Sequence, residues 1–140
     1  MVSNKATARV MPNRDYVGQQ VLAIQTSPYI IEFYNEDVRQ VLNDFPNGIR
    51  ARTFALFQKM EFSGCYLPNG LTKAMGKGLF ELRVKAKEGI GRTFYCTLIG
   101  RRIVVLHAFV KKSQKTPHKD LEIARSRLKE LKNETNQNFS

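Results

Sequence analysis

The stretch Leu79-Phe80-Glu81-Leu82-Arg83-Val84-Lys85-Ala86-Lys87 decides how this chain folds. Phe80, Leu82, Val84 and Ala86 alternate with Glu81, Arg83, Lys85 and Lys87. That period of two is a strand with one apolar face on a core and one charged face turned away from it. Toward the C-terminus, Glu88-Gly89-Ile90-Gly91 reads as a turn and Arg92-Thr93-Phe94-Tyr95-Cys96-Thr97-Leu98-Ile99 as the next strand. Gly100-Arg101 is a two-residue turn of the Gly-X kind that suits a type II′ hairpin. The segment Ile103 to Val110 is nearly continuous in apolar residues, as expected of a central strand buried on both faces. Thr116 and Pro117 then read as the cap and first position of a helix striped by Leu121, Ala124, Leu128 and Leu131.

Toward the N-terminus, residues 63–78 form a Gly/Pro-rich connection carrying Lys73 and Lys77. Before it, Ile49, Thr53, Leu56, Phe57 and Met60 make one helical stripe, and Val38, Val41, Leu42 and Phe45 make another. Pro46-Asn47-Gly48 separates the two, and Asn35 is placed to cap the first, with Glu36 and Asp37 favourable at the positive end of its dipole. The run Tyr29-Ile30-Ile31-Glu32-Phe33-Tyr34 is the first strand. The class is therefore α+β, in the order β-α-α-β-β-β-α. A helical hairpin and a C-terminal helix lie on one face of a small, mainly antiparallel four-stranded sheet, and the other face carries Arg83 and Lys85. Residues 28–133 form the domain, 1–27 an N-terminal extension and 134–140 a polar tail.

With 140 residues, 42% hydrophobic and 25% charged, the chain has the composition of a globular domain. No stretch approaches the roughly 18 unbroken apolar residues of a membrane span. Lys5, Arg9 and Arg14 are not followed by an apolar segment of the secretory kind. Two cysteines, Cys65 and Cys96, build no disulfide framework, so a reducing cytoplasmic setting is the simplest expectation. The net charge is +11, and residues 71–119 hold twelve basic side chains against Glu81 and Glu88. Clustering of that kind is the footprint of a phosphate-rich partner.

Three pieces of this block carry a resemblance: Gly78-Leu79-Phe80-Glu81-Leu82-Arg83, then Gly91-Arg92-Thr93-Phe94-Tyr95, then Leu106-His107-Ala108-Phe109-Val110-Lys111-Lys112-Ser113-Gln114-Lys115-Thr116-Pro117. They resemble the RelE/HigB superfamily of toxin–antitoxin toxins, and within it the HigB-like, phage-derived Gp49-like branch. Its pattern runs approximately L-W/F-E-L-R, Y-R-x-F-Y and L-H-x-F-x-K-K-x-Q-K-T-P. The resemblance implies a ribosome-dependent endoribonuclease that cleaves mRNA, inhibits translation and arrests growth. Its implied partners are mRNA, the ribosome and a helix-turn-helix antitoxin. Arg83 and Arg92 match basic positions of the family's RNA site, Lys111 or Lys112 the basic position after the last strand, and Lys115 the K-T-P signature. Two departures stand out. Gly91 replaces the usual tyrosine, and no tyrosine follows Tyr95 to serve in acid/base chemistry.

The chemistry is feasible without a metal or cofactor, because RNA supplies its own nucleophile, the 2′-OH. The protein must place cations on the developing phosphorane charge and move protons. Arginine suits the first task through its planar, permanently charged fork. Arg83 with Arg92 beside it is the expected clamp, and Lys112, Lys115 and His118 are the proton-transfer candidates. Lys73, Lys77, Lys85, Lys87 and Lys111 are the expected RNA-binding rim. Plainer readings stand beside these. Arg83 and Arg92 also read as solvated strand positions. His107, inside an apolar strand, reads as a packed core histidine, and His118 as an exposed one. Glu81 can orient an arginine as readily as act as a base. Cys65, Cys96, His107 and His118 match no zinc-finger spacing. Two other functions remain open from sequence, a ParE-like DNA gyrase inhibitor and a non-catalytic nucleic-acid-binding phage regulatory module.

Overall fold

A computed structural model describes residues 28–65, 67, 68, 70–111 and 117–139. Along them run β1 (Ile30–Phe33), α1 (Glu36–Asn43), α2 (Asn47–Ser63), β2 (Thr72–Gly76), β3 (Leu79–Ala86), β4 (Gly89–Leu98), β5 (Arg102–Lys111) and α3 (His118–Phe139). The strands form one sheet in the order β1-β5-β4-β3-β2, parallel between β1 and β5 and antiparallel elsewhere. The expected class holds: an α+β fold with a mainly antiparallel sheet.

The sheet has five strands rather than the four expected. Thr72–Gly76 lies in the connection read as irregular, and its pairing is carried by its partner. Thr72, Lys73 and Ala74 sit opposite Leu82, Glu81 and Phe80 of the strongly patterned β3. A short, lysine-bearing edge strand has little sequence signal of its own and a low tendency to recruit further strands. The helices also lie on both faces, not one. Val38, Leu42, Phe45, Ile49, Phe57 and Met60 of the hairpin pack with Ile31, Leu82, Val84, Tyr95, Ile103 and Val105 on one side. Ala124 and Leu128 of α3 pack with Leu79, Phe94, Cys96, Val104 and Leu106 on the other. An apolar stripe states that a helix is covered; it does not state which face covers it. The nearly unbroken apolar run of β5 reflects this burial on both sides.

Local details follow the residues. Asn35 caps α1 by accepting from the Val38 amide at 2.9 Å, while Val41 of the expected stripe is exposed. The β3–β4 turn is Lys87-Glu88, because Ala86 pairs with Gly89 and the strand takes in Gly89–Gly91. Gly91 belongs in the strand because α2 comes so close there: a Cβ would lie 2.4 Å from Ile49 Cγ2. Glu88 ties that turn to the hairpin by accepting from the Gly48 amide at 3.0 Å. In the β4–β5 turn both Gly100 (φ 89°) and Arg101 (φ 61°) are left-handed. A type II′ turn has a positive φ only at its first central position, and Leu98 pairs with Arg102, so the connection is the three-residue Ile99-Gly100-Arg101 and not the two-residue type II′ turn expected.

Docking of α3 is polar as well as apolar. Arg125 donates to the carbonyls of Met75 and Gly76 at 2.7 and 3.2 Å, and Arg127 to that of Leu106 at 2.7 Å. The helix continues through the polar residues after 133 to Phe139. The N-terminal extension (1–27), Lys112, Lys115, the proposed Thr116 cap and residue 140 lie outside the described residues.

Candidate functional site

Cross-strand partners share a face, so the register sorts the charged side chains. On the α3 face, moving inward from the β3–β4 turn, the first row is Lys85–Ile90–Lys111 and the second Arg83–Arg92–Phe109. The third is Lys73–Glu81–Phe94–His107. Asp120, in the first turn of α3, meets His107, and from there the helix runs away over Leu79 and Cys96. The first two rows thus lie beyond its N-terminus. Lys85 and Lys111 are exposed in the first row, and Lys73 at the β2 end of the third, giving a basic half-face beside a helix-covered half-face.

Glu81 is the hinge of the second and third rows. Its carboxylate is 1% exposed, and Oε2 accepts from Arg92 at 3.0 Å while Oε1 lies 3.4 Å from Arg83 Nε. Arg92 has no exposed surface, whereas Arg83 is 30% exposed. A buried carboxylate demands cationic partners, since an uncompensated charge there costs several kcal/mol. The two arginines expected to act side by side are therefore placed differently. Arg92 sits beneath the face and fixes Glu81; Arg83 reaches the surface with its Nε side held by that same glutamate.

The other expected residues divide by location. Lys87 lies in the turn next to Lys85. Lys77 lies in the β2–β3 turn at the opposite end of the eight-residue β3, roughly 25 Å away at about 3.3 Å per residue. His118 is 83% exposed and paired with Glu122 on its own helix at 2.9 Å. His107, expected as a core histidine, is 17% exposed, and its Nε2 lies 2.7 Å from Asp120 Oδ1. The cause is a bulge in β5. Phe94 pairs with His107 but Tyr95 pairs with Val105, so Leu106 is inserted and His107 joins it on the α3 face. A bulge leaves no mark in an apolar run, and a lone histidine there gave no signal of its carboxylate.

Burial pushes the Cys96 thiol up to about 11, against the opposing pull of Lys132 and Arg102. It raises the Cys65 thiol too. Neither is a thiolate near neutral pH, so neither has the character of a nucleophile. Among the described residues no three His, Cys, Asp or Glu side chains converge as a metal cluster, and no helix is long and apolar enough to cross a membrane.

No curated protein matches the chain. A family model does: that of the phage-derived Gp49-like proteins (DUF891) matches residues 40–129, from within α1 to within α3. The match spans the whole basic half-face and its Glu81 hinge, and it covers more than half of the chain. The chain belongs to the phage-derived Gp49-like family, a family of RelE/HigB-like toxins.

Proposed function

We propose that this chain is the toxin of a type II toxin–antitoxin pair of the HigB-like kind, acting in the cytoplasm as a ribosome-dependent mRNA interferase. The observation that carries the reading is Arg83, fixed by a buried glutamate and opening onto the basic half-face. A phosphodiester lying across Lys85, Arg83 and Lys111 meets fixed positive charge where the pentavalent phosphorane develops its own. Arg83 is the clamp and touches phosphate. Arg92 acts through Glu81 and is a positioning residue. Lys73, Lys85, Lys87 and Lys111 hold the flanking backbone, while Lys77 is too distant to share it. In the sequence Lys112 follows β5 directly and Lys115 comes three residues later, extending the same basic run. A helix-turn-helix antitoxin is the proposed inhibitor, and residues 28–133 the toxin domain.

Purified protein added to a ribosome-dependent translation reaction, with mRNA ends mapped by primer extension, tests this. Codon-positioned cuts that require ribosomes are the expected result, and Arg83→Ala, folded, is expected to lose them by about 100-fold or more, the scale of one lost transition-state donor. Trapped gyrase–DNA breaks would point instead to ParE-like action. Binding to RNA with neither outcome would point to a non-catalytic module.

A further inference from the structure

One pair outside the arginine cluster is built as a base with its orienting acid. His107 is turned onto the α3 face by the β5 bulge, and Asp120 approaches it from the first turn of α3 at 2.7 Å. The ring is steadied by Phe109, whose centroid lies 5.7 Å away. With Nε2–H donated to the carboxylate, the free lone pair is on Nδ1, and Asp120 stabilises the imidazolium formed when Nδ1 takes a proton. The pair lies beside the basic half-face. His107 is two strands from Glu81 and one row from Arg83, about 12 Å between the Cα atoms of His107 and Arg83 by strand spacing and rise. Half-buried Phe109 lies between them on the surface.

We infer that His107 is the general base of the cleavage and Asp120 its positioning residue, an inference that rests on the mRNA-interferase reading above. Nδ1 removes the proton of the 2′-OH, and the O2′–P bond forms. The P–O5′ bond breaks, and the departing oxygen takes a proton from water at the open face. The products are a 2′,3′-cyclic phosphate and a 5′-hydroxyl, and the imidazolium returns its proton to solvent. Three other candidate groups among the described residues are badly placed. His118 points to solvent with Glu122. The Tyr95 hydroxyl is spent on the Cys65 carbonyl across the sheet, and that of Tyr34 on Glu130. This dyad supplies a base where the chain has no C-terminal tyrosine.

The pair also ties α3 to β5, so the test must separate tethering from proton transfer. His107→Gln retains an amide able to bond Asp120 and lacks a base; His107→Ala lacks both. Single-turnover cleavage of ribosome-bound mRNA by the full chain is expected to fall 100-fold or more in both variants. Ribosome binding is expected to be unchanged, with His107→Ala partly restored by added imidazole. Asp120→Asn is expected to slow cleavage without weakening binding. A folded His107→Gln variant within threefold of the wild-type rate overturns the assignment and leaves the mRNA-interferase reading standing. Wild-type protein that leaves mRNA intact overturns that reading itself and the dyad with it.

Discussion

The two faces of this sheet solve different problems. Among the described residues the hairpin face buries no charged side chain, and it is closely enough packed that position 91 has no room for a side chain. The α3 face begins the same way, over Leu79, Cys96 and Leu106, and then changes character beyond Asp120. There it holds a glutamate and two arginines, one of them fully buried, together with a histidine–carboxylate pair and exposed lysines. Burying charge is less efficient than burying leucine as a way to stabilise a domain. The difference teaches that one face secures the fold, while the other keeps a costly polar arrangement whose geometry serves something besides stability.

The largest effect should come from the costly arrangement itself. Glu81→Ala takes from fully buried Arg92 the carboxylate that holds it and is expected to destabilise by about 3–5 kcal/mol, readable by urea unfolding. Replacing both partners, as Glu81→Leu with Arg92→Met, should recover most of that loss, since well-packed apolar pairs often match buried ion pairs in stability. The recovered fold should still fail to cleave RNA, because Arg83 has lost the group that orients it. Full activity in the double variant would show that the ion pair is only structural and erase the contrast between the faces.

The hairpin face should respond to volume and not to charge. Alanine is ordinarily no worse than glycine in a strand, yet Gly91→Ala is expected to cost about 1–3 kcal/mol through overpacking. Its Cβ would meet Ile49 Cγ2 at 2.4 Å. Ile49→Leu lacks that β-branch methyl, so the pair of changes should be less damaging than the sum of the singles, a favourable coupling measured by a double-mutant cycle. A neutral Gly91→Ala would show that α2 is free to move away and that the hairpin face is looser than described.

The same division explains what was legible in the sequence. The alternation across Leu79–Ala86, the Asn35 cap and the helical stripes are local signals, and local signals survive folding unchanged. Strand β2 was hidden because its pairing depends on β3, and the side taken by α3 because a stripe says nothing about direction. In the site, alternation put Arg83 and Lys85 on one face, and the register adds Arg92 to it. Alternation could not show that Arg92 lies beneath that face, since coverage comes from elements distant in sequence. The ambiguity at Glu81 was resolved the same way, by Arg92, its near-neighbour across the hairpin. His107 was the least legible, because one inserted residue in β5 decides its direction.

The smallest effect on stability separates the two halves of the α3 face most cleanly. Lys85 and Lys111 are exposed and lie one on each side of Ile90. Changing either to glutamine should alter stability by no more than about 0.5 kcal/mol. If phosphates run across this row, each change removes a counterion-releasing contact, and the slope of log affinity for single-stranded RNA against log salt should become shallower by about 0.7. Lys77→Gln is the internal control. It removes the same charge from the far end of β3, where its carbonyl accepts from Lys132 of α3 at 3.3 Å, and should leave the slope unchanged. Equal responses at Lys77 and Lys85 would mean that RNA senses only the overall +11 charge. A response confined to Lys85 and Lys111 would place the RNA on the half of the face that α3 leaves open, within reach of Arg83 and His107.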